Sequence, residues 1–324
     1  MPLSSAAVVP LPSLNFQFLL NPQTHLRFAA ARGLNRPNFT QLEPNSQISA
    51  FSQNGLFAGF TGANGGNPNL LPETSSNYDI SLEWYGERDG LAHLDVFYKN
   101  LHNHIDTGLF NQIIPITFPT NTSTNPAYQG TQNETVATIS PFNEPRARVA
   151  GAEVGAQKYA TFLPAPFDGL GINANFTYVH SQQPDAIAYD MDSNPIHGLP
   201  LEGLSKYSFN LIGMYDKGPW SGRLAWNWRS KYLMVTTANG TTGTATYSLT
   251  GVNYSYALPV FSDHYGQLDG SLGYTVNKHL TIVGEAANLT DSMPRSVMGV
   301  GDQQHGRSWF ISDRRLAISA RVSF

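Results

Sequence analysis

Long segments of strict apolar–polar alternation, joined by connections that are short and long by turns, constrain this chain more than any other feature of its sequence. In "GQLDGSLGYTVN", Leu268, Gly270, Leu272, Tyr274 and Val276 fall on one face of an extended strand. Gln267, Asp269, Ser271, Gly273, Thr275 and Asn277 fall on the other. "SGRLAWNWRSKYL" sets Leu224, Trp226 and Trp228 against Arg223, Ala225, Asn227 and Arg229. "SNYDISLEWYG" and "GINANFTYVHS" repeat the pattern, with Tyr78, Ile80, Leu82 and Trp84 and with Ile172, Ala174, Phe176 and Tyr178 on the apolar side. About eleven such segments are readable, near 12–20, 25–33, 73–85, 90–107, 146–162, 169–182, 204–217, 219–232, 264–276, 279–290 and 314–324. Strands of globular proteins run about 5–6 residues. A strand crossing a bilayer at a tilt needs roughly 9–11, which these segments supply.

Short connections fall at 21–24, 86–90, 163–168, 217–219 and 277–278; long ones fall near 34–72, 108–145, 183–203, 233–263 and 291–313. Soluble domains seldom carry one structureless loop beyond about 12–15 residues, and five are read here. A membrane barrel has this asymmetry by construction, with tight turns on one side and long loops on the other. In hydrocarbon an unpaired backbone N–H or C=O costs several kcal/mol, so a sheet there must close on itself. The expected fold is therefore all-β: an antiparallel transmembrane β-barrel. Aromatic residues near segment ends (Tyr159, Phe162, Tyr207, Trp220, Tyr232, Tyr265) are expected in the interfacial girdles.

Composition narrows the function. Charged residues are 13% of the 324, about half the usual share. A net charge of −4 without a basic stripe excludes a nucleic-acid partner. The absence of cysteine excludes disulfides and thiolate metal sites. No apolar run reaches the length of a membrane helix, and "MPLSSAAVVPLPSLNF" lacks the charged and apolar regions of a signal peptide. His102, His104 and Asp106 share one strand parity, but three or four ligands in a fixed geometry are needed for a metal, so none is expected. Asp302, His305 and Ser308 lie close in sequence, yet triads are defined by geometry, and no enzyme activity is expected. No cofactor is implied.

The polar side of the alternation carries Arg27, Glu83, Asp95, Glu153, Asn173, Asn210, Arg223, Arg229, Asp269 and Glu285. A charge on the lipid side costs roughly 2–4 kcal/mol at the midplane, so this parity faces the lumen. "ARGLNRPNFTQL" (31–42), "GNPNLLPETSSNYDISLEWY" (66–85), "VFYKNLHNHI" (96–105) and "NLTD" (288–291) followed by the terminal "ARVSF" resemble, in this order, the C-terminal half of TonB-dependent outer-membrane receptors of Gram-negative bacteria. The likeness covers nearly all of residues 11–324. It implies a 22-stranded barrel around an N-terminal plug. About eleven strands without a plug are then half of it, with residues 1–324 forming the C-terminal part of the barrel and residues 1–11 the remnant of an external loop. Alone, such a half is expected not to close into a transporter.

The resemblance further implies active import. The partners would be outer-membrane lipid, the TonB energy-coupling complex acting through the missing plug, the β-barrel assembly machinery and a small-molecule ligand. Phe324, ending the last alternating segment, is the implied assembly signal. The long loops would form the ligand-facing mouth, with Tyr247, Tyr254, Tyr256 and Arg229 as candidate ligand-binding residues. Aromatic platforms among amides and hydroxyls suit an oligosaccharide; iron chelates are the other ligand class implied. The absence of a conspicuous Lys/Arg cluster in the loops favours carbohydrate. The alternatives are a passive outer-membrane pore, or a non-functional truncated barrel fragment.

Overall fold

The structure, a computed structural model, describes residues 9–53, 56–86, 90–118, 130–183, 188–238, 241–246 and 253–323. Among these the chain forms β1 (Ser13–Asn21), β2 (Thr24–Asn35), β3 (Ser46–Gln53), β4 (Leu56–Gly65), β5 (Glu73–Tyr85), β6 (Leu91–Phe118), β7 (Gly130–Tyr159), β8 (Leu170–Gln182), β9 (Tyr207–Lys217) and β10 (Trp220–Arg229). Four short strands follow: β11 (Tyr232–Val235), β12 (Thr242–Thr246), β13 (Asn253–Ala257) and β14 (Val260–Ser262). The rest are β15 (Tyr265–Asn277), β16 (Leu280–Ala287), β17 (Arg295–Met298), β18 (His305–Trp309) and β19 (Arg315–Val322).

The eleven alternating segments become one continuous antiparallel path, β1-β2-β5-β6-β7-β8-β9-β10-β15-β16-β19. Register keeps like faces together. Leu82 opposes Leu26 and Leu94, Val154 opposes Leu94 and Phe176, and Leu272 opposes Gly222 and Gly284. The apolar face is open: Ile80, Leu82, Leu94, Val96, Leu224, Leu272, Ile318 and Leu316 are all exposed. An apolar surface of this extent, unbroken by charge, is what a sheet in contact with lipid requires. Aromatic pairs stack along one rim, Tyr78 on Tyr98 at 6.4 Å and Tyr178 against Tyr207 at 5.5 Å. Trp220 packs on Tyr274 at 4.6 Å near the other.

The long connections are folded, contrary to the expectation of structureless loops. β6 and β7 run on for 28 and 30 residues and pair along their whole length, to Phe118↔Gly130. Residues 46–65 form the hairpin β3–β4, which joins β7 in parallel at Ala63↔Thr138. Residues of the last two long connections form a four-stranded sheet, β11-β14-β17-β18, and the hairpin β12–β13. The reason is that a long connection above a membrane is in water, where backbone groups need partners as much as elsewhere.

Two sequence signatures act as local staples. In "NPNLL" (67–71), Asn143 of β7 takes up both backbone groups of Leu71, accepting from its N at 2.8 Å and donating to its O at 2.9 Å. Asn67 meanwhile donates to the Pro141 carbonyl at 3.1 Å. In "NLTD", buried Asn288 adopts φ +55, accepts from Ser292 N at 2.8 Å and donates to Ser312 Oγ at 3.2 Å. Asn tolerates this left-handed conformation because its short amide bonds locally.

Among the described residues, two buried apolar clusters lie toward the long-connection end. Ala147, Val149 and Leu201 form one cluster with Phe97, Leu101, Val179 and Leu204 around them. Ala188, Leu199, Leu233 and Phe261 form a second, against which Ile196, Val297 and Val300 pack.

Candidate ligand-facing site

The polar parity of the sheet builds a hydrogen-bonded inner wall. Arg27 Nε meets the Glu83 carboxylate at 3.0 Å, and Tyr85 donates to the same carboxylate at 2.7 Å. Asn173 donates to Gln157 at 2.7 Å, and Asn210 to Asn175 at 2.7 Å. On β15, Tyr265 donates to Gln267 at 2.6 Å and Gln267 to Asp269 at 2.7 Å; the Asn288 backbone N–H donates to the same Asp269 at 2.8 Å. Such ladders satisfy the polar groups and fix their rotamers, presenting amides and carboxylates at set positions along the wall.

Two cavities open on this wall. One, of about 450 Å³, is lined by Arg223, Asp269, Ser271, Glu285 and Arg315, two cations facing two carboxylates. The other, of about 400 Å³, lies higher and is lined by Ser208, Asn210, Asn227, Arg229 and Tyr265 with the segment 203–205. Arg229 is held on three sides. Its Nε donates to Ser205 Oγ at 2.8 Å, its Nη2 donates to the Gly203 carbonyl at 3.0 Å, and its guanidinium lies 3.8 Å from the Tyr232 ring centre. It thereby ties β10 to segment 203–205 and leaves its remaining donors toward the cavity.

The other candidates fall elsewhere. Tyr247 and Phe324 lie outside the described residues, and of Tyr254 only the backbone is described, opposite Ala245 in the β12–β13 hairpin. Tyr256 is half-buried in the same strand, with its backbone opposite Gly243. Nothing among the described residues joins it to Arg229. Three of the expected girdle tyrosines belong to the inside: Tyr159 donates to Asp216 at 2.7 Å, Tyr265 to Gln267, and Tyr232 lies under Arg229. Their hydroxyls or ring faces have polar partners on the wall, which overrides the preference for an interface. Tyr207 and Trp220 are exposed on the outer face as expected, and Phe162 is exposed in the turn before β8.

The His102–His104–Asp106 series does not converge. Asn103 between the histidines has φ +54, a left-handed kink inside β6. Below it this parity is exposed at Leu94, Val96 and Tyr98; above it Asp106 is buried. His102 meets Asn100 at 3.2 Å, and His104 pairs with Glu73. Asp106 accepts from Gln183 Nε2 at 2.9 Å, Thr236 Oγ1 at 3.0 Å and Thr107 N at 2.7 Å. Glu202 accepts from Thr236 N at 2.8 Å. This second polar site, which sequence reasoning missed, clamps the segments around 183, 202 and 236 to β6. Loss of water at its carboxyl and the charge of Asp106 push Glu202 up to about 7; burial likewise raises Asp106. At His104 burial opposes the charge, but Glu73, with Asp106 and Glu144 nearby, holds the imidazole above its ordinary range. Ser308 is bonded to Ser296 at 2.6 Å.

A family model described as "TonB dependent receptor-like, beta-barrel" matches residues 5–289. No curated protein matches the chain. Among solved structures it is similar to the ferric enterobactin receptor PfeA of Pseudomonas aeruginosa in complex with BCV-L6 (TM-score 0.59, 20% identity, covering 97% of this chain and 40% of that one). It is similar also to the siderophore receptor PirA of Acinetobacter baumannii (TM-score 0.54, 19% identity, 87% and 37%) and to the copper transporter OprC (TM-score 0.55, 14% identity, 97% and 39%). The chain thus spans about two-fifths of the length of these structures. At such identities the likeness speaks for the fold, while the family match extends over most of the sequence. The chain belongs to the TonB-dependent receptor β-barrel family and is an outer-membrane β-barrel protein.

Proposed function

We propose that residues 1–324 form the C-terminal wall and mouth of a receptor that binds a scarce nutrient outside and admits it past a plug driven by the TonB complex. The observation that carries this reading is the pairing of a lipid-compatible outer face with a hydrogen-bonded inner wall, capped by folded extracellular hairpins. Phe324 would present the last strand to the β-barrel assembly machinery. The protein does no covalent chemistry in this scheme.

The ligand we infer is a neutral polar one, an oligosaccharide in preference to an anionic iron chelate. Segments 108–145, 183–203 and 233–263 contain no Lys or Arg at all. The carboxylates Glu134, Asp190, Asp192 and Asp263 lie in these segments. A negative mouth repels a polyanionic chelate at long range. Amide and hydroxyl groups on the wall match sugar hydroxyls.

Uptake of a labelled oligosaccharide and of a labelled ferric chelate, measured in cells making the full-length receptor, tests both parts. Sugar uptake that stops when the inner-membrane proton gradient is collapsed is the expected result. Chelate uptake with no sugar uptake would reverse the choice of ligand. Uptake insensitive to the gradient would point instead to a passive pore.

A further inference from the structure

Among the described residues below the Asn103 kink on β6 and Glu144 on β7, the outward parity of the sheet holds no carboxylate; from there up the same parity turns inward, where Asp106 and Glu144 are buried. Along β2, β5 and β8, and along β6 and β7 below that kink, every described outward position is apolar, aromatic, neutral polar or basic. The basic ones at the extracellular end gather at one height. Register sets Arg32, Ser76, Asn100, Arg148 and Gln182 side by side on five strands. The row two residues lower is Ala30, Tyr78, Tyr98, Ala150 and His180, and its tyrosines form the upper aromatic girdle. Arg146 stands two residues above Arg148 on β7. Lys206 swings to the same side, with its Nζ 5.5 Å from the centre of the Tyr207 ring.

Arg32, Arg146, Arg148 and His180 are exposed, and no described residue offers the three guanidinium groups a hydrogen bond or an ion pair. The neighbours Ala147 and Val149 are buried in the inner cluster, which fixes Arg146 and Arg148 on the outside. At the ~4.8 Å spacing of strands, Arg32 and Arg148 are about 14 Å apart, the breadth of a lipid headgroup.

We propose that this patch binds the phosphorylated headgroup of an outer-leaflet lipid, with the acyl chains lying on the apolar band below the girdle. Guanidinium groups bind phosphate through paired N–H donors. Cations just outside the hydrocarbon are where headgroup phosphate is found. No described side chain pairs with the three guanidinium groups, and Glu144, two residues from Arg146, is buried, so the counter-charge at this surface comes from outside. Leu94, Val96 and Ile80, directly beneath, offer the lipid tails a surface of their own kind. The site is independent of the transported ligand, since it faces away from the lumen.

The test uses the full-length receptor, extracted from outer membranes in mild detergent. Three probes are used: an outer-leaflet phosphorylated glycolipid, the same lipid after phosphatase treatment, and inorganic phosphate as competitor. The unaltered receptor should bind the treated lipid at least about tenfold more weakly. Joint Arg146→Gln and Arg148→Gln substitution should cut co-purifying lipid phosphate by about fivefold or more, whereas Arg148→Lys, which keeps the charge but not the paired donors, should lose less than the double variant. Lys278→Gln, in a periplasmic turn, should change nothing. Equal binding of the treated lipid would overturn the proposal, as would unchanged retention in the double variant. Full displacement by inorganic phosphate would make the patch a free-anion site. If the double variant fails to insert, the phosphatase comparison on the unaltered receptor still decides.

Discussion

Thr236 is gripped from both ends: its hydroxyl bonds to Asp106 and its amide to Glu202. The two carboxyl groups sit close enough that ionising both is costly, and both are raised from their ordinary values. A carboxyl raised on folding contributes stability below its unfolded value, and that contribution is lost as pH rises through the folded value, here about 7 for Glu202. The raised His104, paired with Glu73, acts in the same direction, losing its contribution as the imidazole deprotonates. The clamp between β6 and segments 183, 202 and 236 should therefore be tighter at about pH 6 than at about pH 8. Protection factors for hydrogen exchange at the Thr236 and Thr107 amides, each taken against the unfolded chain at the same pH, should rise accordingly in acid. Asp106→Asn, which removes one of the paired charges, should flatten that dependence; an unchanged pH profile in the variant would show that Asp106 is not its source. None of this was legible beforehand. Gln183 and Thr236 are 77 and 130 residues from Asp106, and no local pattern reports so distant a partner.

At the scale of the strand, alternation was enough. The eleven alternating segments are the eleven strands of the main path, because a two-residue period fixes which face meets lipid and a one-residue slip would invert it. Val96→Arg on β6 should accordingly cost roughly 2–4 kcal/mol, since Val96 faces the hydrocarbon. Ser81→Arg, one strand away and turned to the wall opposite Asp95, should cost less than about 1 kcal/mol. Equilibrium unfolding of the full-length receptor in lipid vesicles would compare them, and equal costs would mean the faces are misassigned. The extensions of β6 and β7 escaped notice because "GTQNETVATISPFNEP" lacks apolar alternation and carries Pro141 and Pro145. Those strands are held by cross-strand contacts that only the fold supplies, such as Thr117 with Thr131 at 2.8 Å and Phe110 edge-on to Phe142 at 5.4 Å. The polar wall was legible for the same reason as the strands, whereas the tethering of Arg229 by Ser205 and Gly203 required the chain to return on itself.

For the whole molecule, the path begins at β1 and ends at β19, and among the described residues the two end strands pair with one neighbour each. Unpaired edges in hydrocarbon are costly. Refolded alone in detergent, residues 1–324 should give associated or heat-labile species on semi-native gels. Receptor containing the remaining strands should migrate as a heat-resistant monomer, and a heat-resistant monomer from residues 1–324 alone would contradict this reading. The pair β6–β7 adds something of a different kind. Twenty-eight residues of β6 at ~3.3 Å each and a tilt near ~40° rise roughly 70 Å, against an apolar band of about 25 Å. The hairpin is a mast. Its described outer end, where Phe118 faces Gly130, stands tens of ångströms clear of the hydrocarbon, while the proposed lipid site lies far below it.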